Sequence, residues 1–348
     1  MDRRKCRAVK VGDITIGGGA PISIQSMLNK PAHDIPASCE QARRLEQAGC
    51  EIIRAACPDI EAVRLISALK ETVSVPIVAD IHFDYRIAIE CAKAGVDKIR
   101  INPGNIGSKD RVEAVVRECS DRKIPIRIGV NSGSVEKNIL AKYGAPTAEA
   151  LCESALYHAS ILEEFGFYDT VISIKSSDVK TTIDAYRLAA QRCDYPLHLG
   201  VTEAGTRRMG LVKSAVGLGS LLCDGIGDTV RVSLTADPVE EIAAARDILK
   251  SIGLRGGVQF VSCPTCGRTK IDVISIAEQV QEALAGCEKE IKVAIMGCAV
   301  NGPGEAREAD IGIAGGDGCA LIISRGEILR KVPESDIIAE LLGEIEKL

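Results

Sequence analysis

Fourteen cysteines are spread over 348 residues, and three of them have neighbours suited to chemistry. Cys263 and Cys266 form a C-x-x-C within Ser262-Cys263-Pro264-Thr265-Cys266-Gly267-Arg268, and Cys298 lies in Gly297-Cys298-Ala299-Val300-Asn301-Gly302-Pro303-Gly304-Glu305, which ends on a carboxylate. Three thiolates and one oxygen donor suit a [4Fe-4S] cluster: the thiolates hold three irons, while Glu305, a harder and weaker ligand, leaves the fourth exchangeable. The glycines around Cys298 let backbone N–H groups approach the sulfurs. A structural zinc is the competing use, with Cys287 or Cys319 as fourth thiolate, although neither sits in a knuckle and residues 258–348 contain no histidine. A redox dithiol would need only the C-x-x-C and would leave Cys298 unexplained. Most other cysteines fall in apolar segments such as Ala48–Pro58 and Ile89–Ala94, where a thiol serves as a small buried hydrophobe. Their scatter through a long chain disfavours a disulfide scaffold.

A second set of chemical groups lies earlier in the chain. Short β-branched runs end in polar residues spaced two apart, and residues two apart on a strand share a face. That face carries Gln25 and Met27, Arg54, Asp80 and His82, Arg100 and Asn102, Arg127 and Asn131, Lys175, His198, Glu203, and Arg231 with Ser233. Five of these are Arg or Lys, a density that repels itself in a concave site unless an anion enters; several Arg on separate strands suit a diphosphate. A structural salt-bridge network is the bland alternative, and Arg231, expected deepest and near Asp80, fits it best. Glu203, in Gly200-Val201-Thr202-Glu203-Ala204-Gly205, can serve as an acid at a strand end. His82 and His198, with no carboxylate partner evident, read as hydrogen-bonding or orienting groups rather than metal ligands.

The elements that position these groups follow from periodicity. Eight β-branched runs, Ile22–Met27, Glu51–Ala56, Val75–Ile81, Lys98–Asn102, Pro125–Asn131, Thr170–Ser176, Pro196–Glu203 and Thr229–Thr235, alternate with stretches of helical spacing. Asp237-Pro238 reads as a cap and first turn, and Gly49 and Gly95 read as helix stops. Eight strand–helix units match a TIM (β/α)8 barrel, typically about 250 residues, whose active site lies at the C-terminal ends of the strands. A doubly wound open sheet is the competing architecture. The rhythm breaks at Gly253-Leu254-Arg255-Gly256-Gly257. The reading is therefore α/β: a TIM barrel over residues 1–253, then a smaller α+β domain over 258–348. The second domain has strands at Gln259–Ser262, Ile291–Met296, Asp310–Ala314 and Cys319–Ser324, a turn at Gly315-Gly316-Asp317-Gly318, and helices at Val273–Gly286 and Glu334–Leu348.

Composition bounds the function. Hydrophobic residues at 46% and charged residues at 26% describe a folded globular chain. Aromatics at 3% and a net charge of -5 argue against nucleic-acid binding. No stretch is apolar long enough to span a membrane, and the basic N-terminus lacks the apolar core of a secretory signal, so a cytoplasmic location is expected. No G-x-G-x-x-G follows a strand and opens a helix, so electrons would not come from a nicotinamide.

Seven segments go further. Ser23-Ile24-Gln25-Ser26-Met27, Ala79-Asp80-Ile81-His82-Phe83, Ile99-Arg100-Ile101-Asn102-Pro103-Gly104-Asn105, Arg127-Ile128-Gly129-Val130-Asn131-Ser132-Gly133-Ser134, Gly200–Gly205, Cys263–Arg268 and Gly297–Glu305 closely resemble, in order, the 4-hydroxy-3-methylbut-2-enyl diphosphate synthase (IspG/GcpE) family in its two-domain form. The resemblance implies reductive ring opening and dehydroxylation of 2-C-methyl-D-erythritol 2,4-cyclodiphosphate to (E)-4-hydroxy-3-methylbut-2-enyl diphosphate, in the non-mevalonate isoprenoid pathway. It implies that Cys263, Cys266, Cys298 and Glu305 ligate a [4Fe-4S] cluster. It places Arg54, Arg100, Arg127, Asn131, Lys175, His198, Ser233 and Ser262 on the substrate, and Glu203, Asn301 and Asp80 at the chemistry. It also implies a flavodoxin or ferredoxin as donor, a cluster domain of the sulfite/nitrite-reductase kind, and a homodimer in which that domain closes over the partner's barrel. One segment departs: the family commonly runs Thr-Asn-Thr where this chain has Leu28-Asn29-Lys30-Pro31. A non-redox phosphate-site transferase or lyase with a structural zinc, and an electron-carrying module whose barrel is only a scaffold, are the competing functions.

Overall fold

In a computed structural model the chain forms two compact units, Met1–Ile252 and Gly253–Leu348. The structure describes residues 2–299, 304 and 307–348.

The first unit opens with an antiparallel hairpin, β1 (Ala8–Val11) and β2 (Ile14–Gly17). Eight parallel strands follow: β3 (Ser23–Met27), β4 (Ile52–Ala56), β5 (Ile77–Asp80), β6 (Lys98–Ile101), β7 (Ile126–Asn131), β8 (Thr170–Lys175), β9 (His198–Leu199) and β10 (Thr229–Val230). They pair in the order β8-β7-β6-β5-β4-β3-β10-β9, and a parallel bridge from Ile172 to Leu197 closes the ring between β8 and β9. Closure removes both sheet edges and makes this a TIM barrel rather than an open sheet.

The helices around it are α1 (Ile35–Gln47), α2 (Val63–Thr72), α3 (Tyr85–Lys93), α4 (Pro103–Ile106), α5 (Lys109–Arg122), α6 (Lys137–Tyr143), α7 (Ala148–Glu163), α8 (Val179–Arg192), α9 (Arg207–Cys223) and α10 (Pro238–Ser251). Their starts follow local chemistry. Asp237 accepts the N–H of Val239 at 3.0 Å ahead of Pro238, while Gly49 and Gly95 follow α1 and α3 at φ of +88° and +86°.

Two features of this unit depart from the sequence reading. The hairpin β1–β2 went unread, because four-residue strands separated by Gly12-Asp13 are too short for a periodic signal. It packs Val9, Val11 and Ile16 against Ile52, Val78 and Val171, and so seals the end of the barrel where the strands begin. The runs expected at Pro196–Glu203 and Thr229–Thr235 pair over two residues each, beyond which the backbone leaves the ladder. Those irregular continuations carry Glu203 and Ser233.

The second unit is a five-stranded mixed sheet in the order β11-β12-β13-β14-β15: β11 (Gln259–Ser262), β12 (Lys292–Met296), β13 (Ile311–Gly316), β14 (Cys319–Ser324) and β15 (Glu327–Pro333). Helices α11 (Val273–Ala283) and α12 (Ile337–Lys347) cover a core that includes Val280, Val293, Ile313, Ile322 and Leu341. β13 runs through Gly315 and Gly316, so the turn narrows to Asp317-Gly318. β15 was unread: its mixture of Arg, Lys and exposed Ile328 and Leu329 suits an edge strand, which carries charge to discourage further pairing. Arg325 and Gly326, at φ of +47° and +87°, make the two-residue turn into it.

Candidate functional site

The inner face of the barrel is basic. Asp80, the last residue of β5, is buried; Nη1 of Arg100 donates to it at 3.1 Å, with Nε of Arg54 at 3.5 Å and Nε2 of His82 at 3.7 Å. His82 thus has the carboxylate neighbour that the sequence did not reveal. Burial alone would raise the Asp80 pKa, but the charges of Arg54, Arg100 and Arg127 outweigh it and hold the carboxyl well below its usual range. Arg54 is itself pulled down to about 10 by burial, despite the attraction of Asp80.

Among the described residues, Arg127, Lys98 and Lys175 have no such carboxylate. Arg127 is wholly buried on β7; its Nη1 donates to Gln25 at 3.3 Å, while Nε and Nη2 have no hydrogen-bond acceptor. Lys98 on β6 is equally buried and its Nζ is unpaired. Lys175 closes β8, and His198 opens β9 with both ring nitrogens unpartnered. Burial first, and mutual repulsion second, push Arg127, Lys98, Lys175 and His198 all well below their ordinary pKa values. Buried polar groups are normally satisfied, so this orphaned set fits an anion as its missing partner.

Arg231 does not approach Asp80 as expected. Its guanidinium lies 3.4 Å from Glu241 on α10, which also accepts from Oγ of Ser26 at 2.8 Å and the N–H of Leu234 at 3.1 Å. This supports a structural role for Arg231. Asn131 ends β7, where its N–H donates to Oγ of Ser134 and its carbonyl accepts from that hydroxyl, both at 3.0 Å. Ser233 is half-buried beyond β10. Glu203 is exposed, at φ of +50°, a left-handed conformation a non-glycine residue seldom adopts and one often found at functional turns.

In the second unit Ser262 closes β11 and Cys263 follows it; Gly297 and Cys298 follow the adjacent parallel strand β12. The N–H of Cys263 donates to the carbonyl of Ile295 at 3.2 Å, and the N–H of Gly297 donates to Sγ of Cys263 at 3.0 Å. A methyl group on Gly297 would stand 2.9 Å from Thr269 and 3.5 Å from the Cys263 sulfur, so glycine leaves room there. Cys266 is exposed, and hydrogen bonds from Arg268, backbone before side chain, lower its pKa toward the thiolate. None of the fourteen cysteines is in a disulfide. Glu305 and Asn301 lie outside the described residues, and among the described residues no three His, Cys, Asp or Glu side chains are grouped as a metal site.

Residues 6–246 match the GcpE TIM-barrel domain and residues 259–347 the GcpE protein C-terminal domain. The chain belongs to the GcpE family. Its relatives include the 4-hydroxy-3-methylbut-2-en-1-yl diphosphate synthase (flavodoxin) of Clostridium perfringens, 57% identical over the full length of both chains. Another relative is the enzyme of the same name from Geobacillus thermodenitrificans, 56% identical over 100% of this chain and 93% of that one. Among solved structures, dihydropteroate synthase from Stenotrophomonas maltophilia superposes with a TM-score of 0.51 at 13% identity, over 70% of this chain and 97% of that chain. N-acetylneuraminic acid synthetase from Leptospira borgpetersenii gives 0.50 at 11%, over 82% of this chain and 100% of that chain. These two establish the barrel fold alone.

Sequence reasoning passed over Lys98, although it shares the parity of Arg100 and Asn102. It also missed Glu241, whose acidic first-turn position on α10 reads as a solvated helix start.

Proposed function

We propose that this chain is a 4-hydroxy-3-methylbut-2-enyl diphosphate synthase. It takes 2-C-methyl-D-erythritol 2,4-cyclodiphosphate, two electrons and two protons to (E)-4-hydroxy-3-methylbut-2-enyl diphosphate and water, with flavodoxin as donor. The observation that carries this reading is the orphaned cation set inside the barrel, which fits a diphosphate. Arg54, Arg100, Arg127 and Lys175 hold its oxygens, with Asn131, His198, Ser233 and Ser262 donating hydrogen bonds. Asp80 keeps Arg54 and Arg100 aimed at one point. Glu203, at its strained strand end, gives a proton to the departing oxygen, and Asn301 stands beside the chemistry.

The thiols at adjacent strand ends and the bare Gly297 fit an iron-sulfur cluster, which Cys263, Cys266, Cys298 and Glu305 would hold. Once bound, a [4Fe-4S] cluster supplies one-electron transfer and Lewis acidity. The barrel's part is to bind the diphosphate, exclude water and place Glu203.

We assign the enzyme to the cytoplasm; among the described residues no helix is long and apolar enough to cross a membrane. It works as a homodimer, the cluster unit of one copy closing over the barrel of its partner. Met209, Val212 and Val216, each about half exposed and spaced three or four apart on α9, supply an apolar stripe that supports self-association.

Metal and acid-labile sulfide assays on protein purified without air test the assignment. About four iron and four sulfide per chain, with spectra perturbed by the cyclic diphosphate, are expected. One zinc and no sulfide would favour a transferase or lyase instead.

A further inference from the structure

An acid–imidazole pair joins the loop that follows β7 to helix α7, beside the turn that follows β6, and the chemistry above makes no use of it. Glu136 stands at the N-terminus of α6, just after the Asn131–Ser134 loop, yet its carboxylate does not cap that helix. Its Oε1 instead meets Nε2 of His158, a wholly buried residue on the inner face of α7. Ser154, one turn earlier on that face, also acts on the carboxylate. Burial would raise the Glu136 pKa, but its interactions with His158 and Ser154 outweigh it and keep the carboxyl below its usual range.

The α4 turn lies directly on this pair. A methyl group on Gly104 would stand 3.1 Å from Cε1 of His158 and 3.2 Å from Oε1 of Glu136. Asn102, which ends the stretch carrying Arg100, accepts the N–H of Gly104 at 3.0 Å and anchors the turn. On the other side, the two bonds between Asn131 and Ser134 make the β7 loop a closed box, so Glu136 and Asn131 move together. A polar contact held away from water is a weak source of stability. Its geometry here fastens the β7 loop to α7, on which the α4 turn rests.

We propose that Glu136 and His158 are positioning residues that set the spacing of the mouth ends of β6 and β7, and through it the grip of Arg100 and Asn131 on the substrate diphosphate. This rests on the reading of the barrel as a cyclic-diphosphate site, and neither residue touches the ligand.

The test is calorimetric titration of the cluster-free full-length protein with 2-C-methyl-D-erythritol 2,4-cyclodiphosphate, with folding followed by circular dichroism. Glu136→Ala is expected to weaken binding at least tenfold at temperatures where the variant is fully folded, whereas Glu136→Gln, which keeps a hydrogen bond, stays within about threefold of wild type. Adding Asn131→Ala to Glu136→Ala should cost little more, because the loss of Glu136 already displaces the Asn131 side chain from the diphosphate. Gly104→Ala presses one methyl group onto the intact pair, keeps every buried contact, and should weaken binding about fivefold. Wild-type affinity in both Glu136→Ala and Gly104→Ala, or independent multiplication of the Glu136→Ala and Asn131→Ala losses, overturns the fastening alone. Absence of binding by the wild-type protein overturns the substrate assignment and the fastening with it.

Discussion

Asp80 is the carboxylate shared by Arg54 and Arg100, and its removal has a calculable direction. Asp80→Asn leaves Arg54 and Arg100 buried side by side without compensation, so the folded state should lose about 3 kcal/mol, measurable by chemical denaturation. Its pH dependence runs the usual way for a depressed carboxyl. The contribution is complete above the unfolded value near ~3.9 and fades only as pH falls toward the lower folded value. The neighbouring bases run the opposite way. Lys98, Lys175 and His198 bind protons less tightly folded than unfolded, so between those two pKa values stability of the empty barrel rises with pH. A bound dianion reverses that depression. Binding of the cyclic diphosphate near neutral pH should therefore take up protons, seen as an enthalpy that varies with the ionisation heat of the buffer; a buffer-independent enthalpy would contradict the depressed set. Glu203→Gln should abolish turnover while leaving the visible spectrum of the loaded enzyme unchanged, and surviving activity would move the acid elsewhere. These residues were legible because strand parity selects a face. Lys98, Glu136 and His158 were not, since parity carries no depth and a helix residue's partner across the fold leaves no trace in its own neighbourhood.

At the scale of elements, β6 and β7 show how a strand makes room for its neighbour's side chain. A methyl group on Gly129 would fall 2.2 Å from Nε of Arg100, whose Nη2 also donates to the Gly129 carbonyl at 3.0 Å. The guanidinium spans from that bare backbone on β7 to Asp80 on β5. Gly129→Ala should dislodge it, with a stability loss of about 1–3 kcal/mol and weaker binding of the cyclic diphosphate; unchanged affinity would show that Arg100 has another route to the mouth. The long central strands could be read from β-branched runs because they are buried on both faces. Two-residue β9 and β10 could be found but not bounded, because Gly200 and Ser233 continue the pattern after the ladder has ended. Hairpin β1–β2 and edge strand β15 escaped because each is stabilised by what it packs on, through Val9, Val11 and Ile16 in one case and through pairing to β14 in the other.

For the whole molecule, the family fixes the order of the two units, and each carries a separate part of the proposed chemistry: anion capture in the first, thiolate ligation in the second. The candidate cysteines could be picked out by spacing, and the adjacency of β11 and β12 that brings Cys263 and Gly297 within 3.0 Å could not, since it depends on a crossover through α11. The hairpin at the start of the chain has a consequence for traffic. With Val9, Val11 and Ile16 stoppering the far end, the barrel is a blind well rather than a conduit. Arrival and departure share one doorway, so the linear diphosphate product must vacate the passage before the next ring can descend.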